Sequence, residues 1–369
     1  MYLAALKLNN FRNYSRQEIS FHPQINIFSG LNAQGKTNLL EAIYYLTAAR
    51  SFRTNQELDL LRFESDFFSL GGILHKKEGR FKIELLYRPS QPLQIRVNSL
   101  AIRRGEYLYR YPVVTFTPDD LLLIKEGPSR RRRFLDTEGS RLKPFYHHRL
   151  RDYYRVLQQR NRVLKEKRSG RHSGPGLMEP WDEALIELGA IIVRERIKLL
   201  KALETQARSH FLTLAGEQES LALCYLSTIE FSEDPGLIED IFREQLSAGY
   251  TDELRRGATL TGPHLDDFAI AINGSDARKF ASQGQQRTAV LALKIGEVDL
   301  FKRSGTETIL LLDDIFSEFD EKRGAHLLQF LSKREGQSFI TTASPLAGEG
   351  NLAGCSKSYS IYGGKIRID

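Results

Sequence analysis

The residues best equipped for chemistry are Lys36 and Thr37, which close the stretch Gly30-Leu31-Asn32-Ala33-Gln34-Gly35-Lys36-Thr37. Two glycines flanking four residues, then Lys and Thr, let successive backbone N–H groups curl around phosphate oxygens. Lys36 then reaches the terminal phosphates of a nucleoside triphosphate, and Thr37 offers its hydroxyl to Mg²⁺. The helix that follows points its positive end at the same anion. An ordinary glycine-rich strand-to-helix turn would explain the glycines but has no need of Lys36 and Thr37 together.

A second chemical stretch is Ile309-Leu310-Leu311-Leu312-Asp313-Asp314. Four apolar residues predict a buried strand, and the two acids sit where it ends. Asp313 can hold Mg²⁺ directly or through water, and Asp314 can orient or deprotonate an attacking water. Acids often close buried strands, so the pair gains meaning only beside the phosphate loop. Ala281-Ser282-Gln283-Gly284-Gln285-Gln286 opens a third element, a helix continuing through Val290, Leu291, Leu293 and Ile295. Its small, polar start either binds an anion or is a simple N-cap by Ser282. As the first loop already serves one nucleotide, a second anion site could face the nucleotide of another subunit. Upstream of the loop, Asn10-Phe11-Arg12-Asn13-Tyr14 places Arg12 and Asn13 where they either touch phosphate or base, or form a solvated turn. His264, alone in Thr261-Gly262-Pro263-His264-Leu265-Asp266-Asp267, is a secondary candidate against a structural role.

The elements that must position these groups are legible in part. Ile25, Ile27 and Phe28 predict a buried strand before Gly30, and Leu39, Leu40, Ile43, Tyr44 and Leu46 recur at helical spacing after Thr37. Phe68–Leu74, Phe81–Tyr87 and Leu93–Val97, separated by turn material at 76–79 and near Asn98, predict an antiparallel β-lobe. Val113–Phe116 is a further buried strand, ending in Thr117-Pro118-Asp119-Asp120, and Ser338–Thr342 is another. Trp181, Leu185, Leu188, Ile192, Leu199 and Leu203 form a helical stripe, interrupted at Glu195. The polar, Gly- and Pro-bearing stretch 168–176 predicts a loop between two helices.

Charge is distributed unevenly along the 369 residues. The chain carries +7 overall, with 53 Lys and Arg against 46 Asp and Glu. Between Lys125 and His172 there are 16 basic and 5 acidic residues, a net +11, so the remainder sums to −4. Phe145, Tyr146, Tyr153 and Tyr154 interleave these charges. Such a segment either suits a polyphosphate backbone or is a solvated helix face whose aromatics pack inward. Cys224 and Cys355 are far apart and lack neighbours at metal-ligand spacing, which excludes a disulfide framework or a zinc site and fits a reducing compartment. No window approaches the roughly 20 apolar residues that span a bilayer, and Met1–Phe11 does not read as a signal peptide, so a soluble, cytoplasmic protein with no membrane partner is expected.

Taken together, the loop at 30–37, the helix start at 282–286, the acidic strand at 309–314 and Ser317-Glu318-Phe319-Asp320 resemble the head of ABC-type ATPases, in the branch shared by SMC proteins and RecF recombination mediators. Asn10-Phe11-Arg12-Asn13-Tyr14, Thr117-Pro118-Asp119-Asp120-Leu121, Arg131-Arg132-Arg133-Phe134-Leu135-Asp136, Gly262-Pro263-His264 and Ser282-Gln283-Gly284-Gln285-Gln286-Arg287 narrow the resemblance to the RecF family, over essentially the whole chain. It implies an α/β fold: an ABC-type ATPase head with a mixed sheet around the phosphate loop and an antiparallel β-lobe, at 1–121 plus 251–369. A helical inserted domain at 122–250 interrupts that head.

It further implies two heads sandwiching two ATP molecules. In each site Arg12, Asn13, Gly30, Asn32, Gly35, Lys36, Thr37 and Asn38 of one subunit hold ATP, and Ser282, Gly284 and Gln285 of the other cap it. Lys36, Asp313 and Asp314 are the implied catalytic residues, and Thr37, Asp313 and, less directly, Asp119 the Mg²⁺ ligands. Asp314 stands where most ABC enzymes place glutamate, Thr117 or Asp119 where many place a sensing glutamine, and Thr341-Thr342 where many place a switch histidine. These departures imply a slow ATPase. The implied activity is an ATP-dependent homodimer that binds double-stranded or gapped DNA and, with RecR and RecO, helps load the RecA recombinase. An SMC-like chromosome-organising ATPase and a transporter ATPase subunit are the alternatives.

Overall fold

Short aliphatic and aromatic runs, each ending in Gly, Ser, Thr or Asp, become the parallel strands that carry the candidate site. The computed structural model describes residues 1–170, 176–216, 219–229, 237–343 and 354–368. By contact the chain divides into two compact units, Met1–Asp120 with Glu297–Asp369, and Leu121–Gly296.

In chain order, strands β1 (Tyr2–Phe11), β2 (Tyr14–Ser20) and β3 (Ile25–Ser29) lead to helix α1 (Lys36–Ala48). Strands β4 (Phe68–Lys76), β5 (Gly79–Tyr87), β6 (Gln94–Val97) and β7 (Leu100–Ala101) follow, then helix α2 (Arg104–Tyr107) and β8 (Val113–Phe116). The second unit holds α3 (Leu122–Lys125), α4 (Pro128–Leu142), α5 (Pro144–Arg168), α6 (Glu179–Ala215), β9 (Leu221–Leu226), α7 (Ile238–Arg256), β10 (Asp267–Ile272), β11 (Ser275–Asp276) and α8 (Ala277–Phe280). Helix α9 (Gln283–Arg303) contains the boundary between units, and β12 (Ile309–Asp313), α10 (Glu321–Lys333), β13 (Ser338–Thr342), β14 (Ser356–Tyr362) and β15 (Lys365–Ile368) complete the first unit.

The first unit has two sheets. One is antiparallel, in the order β2-β1-β4-β5-β6-β7; the other runs β15-β14-β3-β13-β12-β8, parallel from β14 to β8 with β15 antiparallel at its edge. The β-lobe and the buried strands at 113–116 and 338–342 thus form where the alternation and apolar runs place them. Helix α1 joins the two sheets. Its Leu39, Leu40, Ile43 and Leu46 share one core with Leu3, Leu6 and Leu8 of β1, Leu70 and Leu74 of β4, Phe28 of β3, Leu311 of β12 and Phe339 of β13. Each such side chain contributes roughly 1.5–3 kcal/mol on burial, so the phosphate loop at the head of α1 is anchored from both sheets.

The second unit is mainly helical. Tyr146, Tyr153 and Leu157 of α5, Leu185, Leu188 and Ile192 of α6, and Phe242 of α7 make its core. Helix α6 runs for 37 residues, and Glu195 interrupts its apolar stripe without interrupting the helix. Glu195 is accommodated there by ion pairs with Lys143 and with Lys198, at 3.2 Å for the latter. A small sheet, β11-β10-β9, is also present, and its β9 lies within the stretch expected to be helical. By contact residues 251–296 group with the helices, whereas the motif reading assigns them to the head. The physical basis is that β10 pairs antiparallel with β9 along its whole length, Asp267 with Leu226 through Ile272 with Leu221. Of the loop expected at 168–176, residues 171–175 lie outside the described residues. Among the described residues, no helix is long and apolar enough to cross a membrane.

Candidate nucleotide-binding site

Because β14, β3, β13, β12 and β8 run the same way, their C-terminal ends share one edge of the sheet. Open parallel sheets bind ligands at that edge. Here β3 delivers Gly30, β12 delivers Asp313 and Asp314, β13 ends in Thr341 and Thr342, and β8 runs into Thr117.

The loop from Gly30 to Thr37 is held tightly from outside. A Cβ on Gly30 would lie 2.5 Å from the Ile361 carbonyl oxygen. Gly35 has φ +115°, and a Cβ there would meet the Asn13 amide at 2.6 Å and the Tyr14 hydroxyl at 3.0 Å. The Tyr14 hydroxyl donates to the Gly35 carbonyl (2.9 Å), and the Asn13 Nδ2 donates to the Gln34 carbonyl (3.2 Å). Helix α1 starts at Lys36 with neither a side-chain cap nor an acid in its first turn, which leaves its leading N–H groups ready for an anion. The buried Lys36 ammonium donates to the carbonyls of Gly30 (2.6 Å) and Leu31 (3.0 Å). Those neutral acceptors are partners that a phosphate can replace.

Thr37 and Asp313, 276 residues apart in sequence, meet at this edge. The Thr37 hydroxyl donates to Asp313 Oδ1 (3.0 Å), the Thr341 hydroxyl donates to the same oxygen (2.8 Å), and the Asp314 N–H donates to Thr341 Oγ1 (3.0 Å). Burial pushes the Asp313 carboxyl above its ordinary range, with the two hydroxyls pulling the other way. Asp314 sits in the left-handed region at φ +49°, a conformation that costs a non-glycine residue about 1–3 kcal/mol and clusters at functional sites. Thr117 takes its N–H (2.7 Å) and hydroxyl (3.2 Å) to Asp120, so Asp120 closes this turn while Asp119 is exposed.

Arg12 and Asn13 stand beside the loop with their polar groups engaged. Arg12 makes a two-pronged ion pair with Glu41 of α1, both bonds 2.8 Å, and donates to the Asp59 carbonyl (2.6 Å). Glu41, fully buried, also accepts from Ser51 (2.5 Å) and Arg53 (3.2 Å). Arg53 donates to Asn38 Oδ1 (2.8 Å), and Asn38 donates to Asn13 Oδ1 (2.9 Å). Asn32, at the loop tip, is exposed. Sequence reasoning missed Glu41 and Arg53. The available signal was Glu41 itself, an acid inside the apolar run Leu39 to Leu46, which can be buried only with a cation against it.

In the second unit Ser282 and Gln285 form a reciprocal cap: the Gln285 N–H donates to Ser282 Oγ (3.2 Å) and the Ser282 N–H to Gln285 Oε1 (2.9 Å). Ser282 is exposed. His264 is structural in its surroundings, 2.7 Å from the Tyr153 hydroxyl through Nδ1, and burial lowers its pKa. The basic segment is divided between core and surface. Arg131 pairs with Asp267 through two 2.7 Å bonds, and Arg160, fully buried, pairs with Asp182 (2.6 Å) and Glu253 (2.7 Å). Arg151, Arg155, Arg162, Lys165 and Arg168 are exposed at four-, seven-, three- and three-residue steps along α5, one basic stripe. Tyr146 and Tyr153 pack inward, whereas Phe145 and Tyr154 are exposed.

Comparison with known proteins places this chain in a family. The profile described as RecF/RecN/SMC N terminal domain matches residues 2–350. A DNA replication and repair protein RecF from Halothermothrix orenii is 41% identical over 346 residues, 92% of each chain. A solved structure described as the recombination mediator protein RecF-ATP in the RecFOR pathway matches with a TM-score of 0.90 at 35% identity, over 100% of this chain and 97% of that one. The Smc head domain with an extended coiled coil from Pyrococcus furiosus matches at 16% identity with a TM-score of 0.58, over 100% and 96% of the two chains, a likeness of fold alone.

Proposed function

The chain belongs to the RecF family, within the wider RecF/RecN/SMC group, and on that premise we propose that it is an ATP-dependent DNA-binding switch of DNA repair. ATP binding joins two copies through their heads, the joined form grips double-stranded or gapped DNA, and slow hydrolysis releases it. The observation that carries this reading is the meeting of Lys36, Thr37 and Asp313 at one sheet edge, under an uncapped helix start. A relative solved as RecF-ATP supports ATP as the nucleotide.

In this reading the residues divide their work. The N–H groups of the loop and of the first turn of α1 cradle phosphates, and Lys36 leaves its two carbonyls for the terminal phosphate oxygens. Thr37 and Asp313 would hold Mg²⁺, which would supply positive charge against the phosphates. Asp314 orients the attacking water, one methylene shorter than glutamate, and hydrolysis is correspondingly slow. Ser282, Gly284 and Gln285 of a second copy close over the nucleotide. Their intramolecular cap is compatible with this, because Ser282 stays exposed. The motif-defined head, 1–121 plus 251–369, is the functional unit in this proposal, with 122–250 its insertion.

DNA meets the basic stripe of α5, by attraction to phosphate rather than to base edges. RecR and RecO are the proposed partners, the RecA recombinase the downstream beneficiary, and the cytoplasm the compartment; the solved relative's RecFOR assignment supports the first two. The SMC-like alternative needs long coiled-coil arms. The longest helix among the described residues, α6, has 37 residues, about 55 Å at 1.5 Å each.

The test is light scattering with and without ATP. The parent is expected to double its 42.2 kDa mass on ATP. Lys36→Ala is expected to lose both ATP binding and the dimer, and Ser282→Arg to keep ATP binding but stay monomeric. ATP-driven dimers of the Ser282 variant would overturn the trans assignment.

A further inference from the structure

We propose that Tyr362, at the tip of the β14–β15 hairpin, is the platform on which the base of the bound nucleotide stacks. This rests on the nucleotide-site reading and deepens it, since the phosphate loop reads phosphates and leaves the base without an assigned partner.

Three observations carry it. First, the hairpin is fastened to the phosphate loop. The Gly363 N–H donates to Gln34 Oε1 (2.7 Å), the Gly364 N–H donates to the Gln34 carbonyl (3.1 Å), and the Ile361 carbonyl oxygen occupies the space where Gly30 lacks a Cβ, 2.5 Å from where that atom would lie. A Cβ on Gly364 would in turn lie 2.7 Å from the Asn13 carbonyl oxygen, so the hairpin tip, the Arg12-Asn13 turn and the loop converge. Second, the polar side chains of the Arg12-Asn13 turn are engaged with protein: Arg12 with Glu41, and Asn13 with Gln34 and Asn38. Third, Tyr362 is 77% exposed although it adjoins this convergence, an unusual state for a large aromatic ring. A ring held in water beside a phosphate cradle is suited to a base, whose π-face stacks on an aromatic whatever its hydrogen-bonding edge.

Position selects Tyr362 from the other exposed apolar groups nearby. Phe63 is 85% exposed and lies next to Arg62, whose N–H bonds the Asn10 carbonyl, but that contact belongs to the far side of the Arg12 turn in sequence and not to the loop. Leu31, 70% exposed within the loop, has no π-face and can only flank the base.

The experiment measures equilibrium binding of ATP and of inorganic tripolyphosphate, which has the phosphates but no base, to the full chain. Tyr362→Ala is expected to weaken ATP by roughly 5- to 140-fold, the range that stacking one base on an aromatic ring provides, and to leave tripolyphosphate unchanged. Tyr362→Phe is expected to restore ATP binding to within about twofold of the parent, because the ring rather than the hydroxyl stacks. Phe63→Ala is expected to bind both ligands as the parent does. Equal ATP affinity of the parent and Tyr362→Ala, with Lys36→Ala inactive for both ligands, would overturn the stacking role and leave the nucleotide site standing. Loss of tripolyphosphate binding in parallel with ATP would also overturn it, as would a loss of ATP binding in Phe63→Ala with Tyr362→Ala intact. A parent that binds neither ligand would instead remove the nucleotide-site reading itself. Exposure of Tyr362 means its truncation removes little from the core, and an unchanged melting temperature verifies the fold.

Discussion

Asp313 shows how a single carboxyl can serve a ligand at the expense of the empty protein. Its burial raises its pKa, so the folded state prefers it protonated more than the unfolded state does. Stability from such a group is undisturbed below the unfolded pKa and falls as pH rises through the window up to the folded one. At neutral pH the charged Asp313 therefore costs stability until a cation meets it. Asp313→Asn, which can still accept from Thr37 and Thr341, is expected to melt higher than the parent at neutral pH without nucleotide or Mg²⁺. The gap should narrow as pH is lowered into and below the ordinary Asp range near about 4, where the carboxyl takes up its proton; scanning calorimetry across pH would reveal the trend, and a lower melting temperature at neutral pH would contradict it. Lys36, Thr37 and Asp313 were legible because their types and spacing are unusual together. Thr341 drew notice only as a departure from a histidine, and its bond to Asp313 depends on strand order, which spacing does not encode. The polar engagements of Arg12 and Asn13 were equally hidden, since a turn residue's partner lies wherever the chain returns.

At the scale of elements, α1 depends on a buried charge cluster as well as on its apolar face. Glu41 is inaccessible to water and faces Arg12, Arg53 and Ser51. Removing one partner of a buried pair typically costs 3–5 kcal/mol, so Glu41→Ala is expected to lower the unfolding free energy measured by urea titration by about that much. A loss under about 1 kcal/mol would mean the arginines find water. Helix α5 presents the opposite case, with its outward charges in pairs worth little, such as Arg162 with Glu166 at 2.9 Å and Arg155 with Asp152 at 3.7 Å. The double variant Arg155→Glu with Arg162→Glu should fold normally yet bind DNA more weakly. A plot of log affinity against log salt should flatten by about 0.9 for each phosphate that is no longer neutralised. An unchanged slope would remove α5 from the DNA-binding surface. Composition located this basic segment, but could not separate Arg131, which ties α4 to β10, and Arg160, which ties α5 to α6 and α7, from the exposed stripe. That distinction required the carboxylates Asp267, Asp182 and Glu253, which come from distant parts of the chain.

For the whole molecule, the phosphate loop and the Ser282 cap are two halves of a site proposed to close only between copies. A mixing experiment follows. Lys36→Ala lacks the cradle but keeps the cap, whereas Ser282→Arg keeps the cradle and loses the cap. Each alone should remain monomeric with ATP, and an equimolar mixture should recover a dimer holding one nucleotide rather than two. Light scattering with nucleotide counting checks this, and monomers throughout would argue against complementary halves. The motif order anticipated the family and the fold of the first unit because the phosphate loop and the acidic pair lie at strand ends. The grouping of 251–296 with the helices was not legible, since it arises from pairing of β10 with β9 across 41 residues, between Asp267 and Leu226.

The packing of Gly35 against the Asn13-Tyr14 turn has a consequence for how this chain can change over generations. Any side chain at 35 would strike Asn13 and Tyr14 at once, in a backbone conformation that itself favours glycine. No single substitution at 35 is therefore neutral. A lineage leaving glycine must first move or shorten both Asn13 and Tyr14, and those steps give up the Asn13 bond to the Gln34 carbonyl and the Tyr14 bond to the Gly35 carbonyl before any gain can arrive. Positions 21 residues apart are in this way tied into one heritable unit, in which the turn is as constrained as the loop it holds.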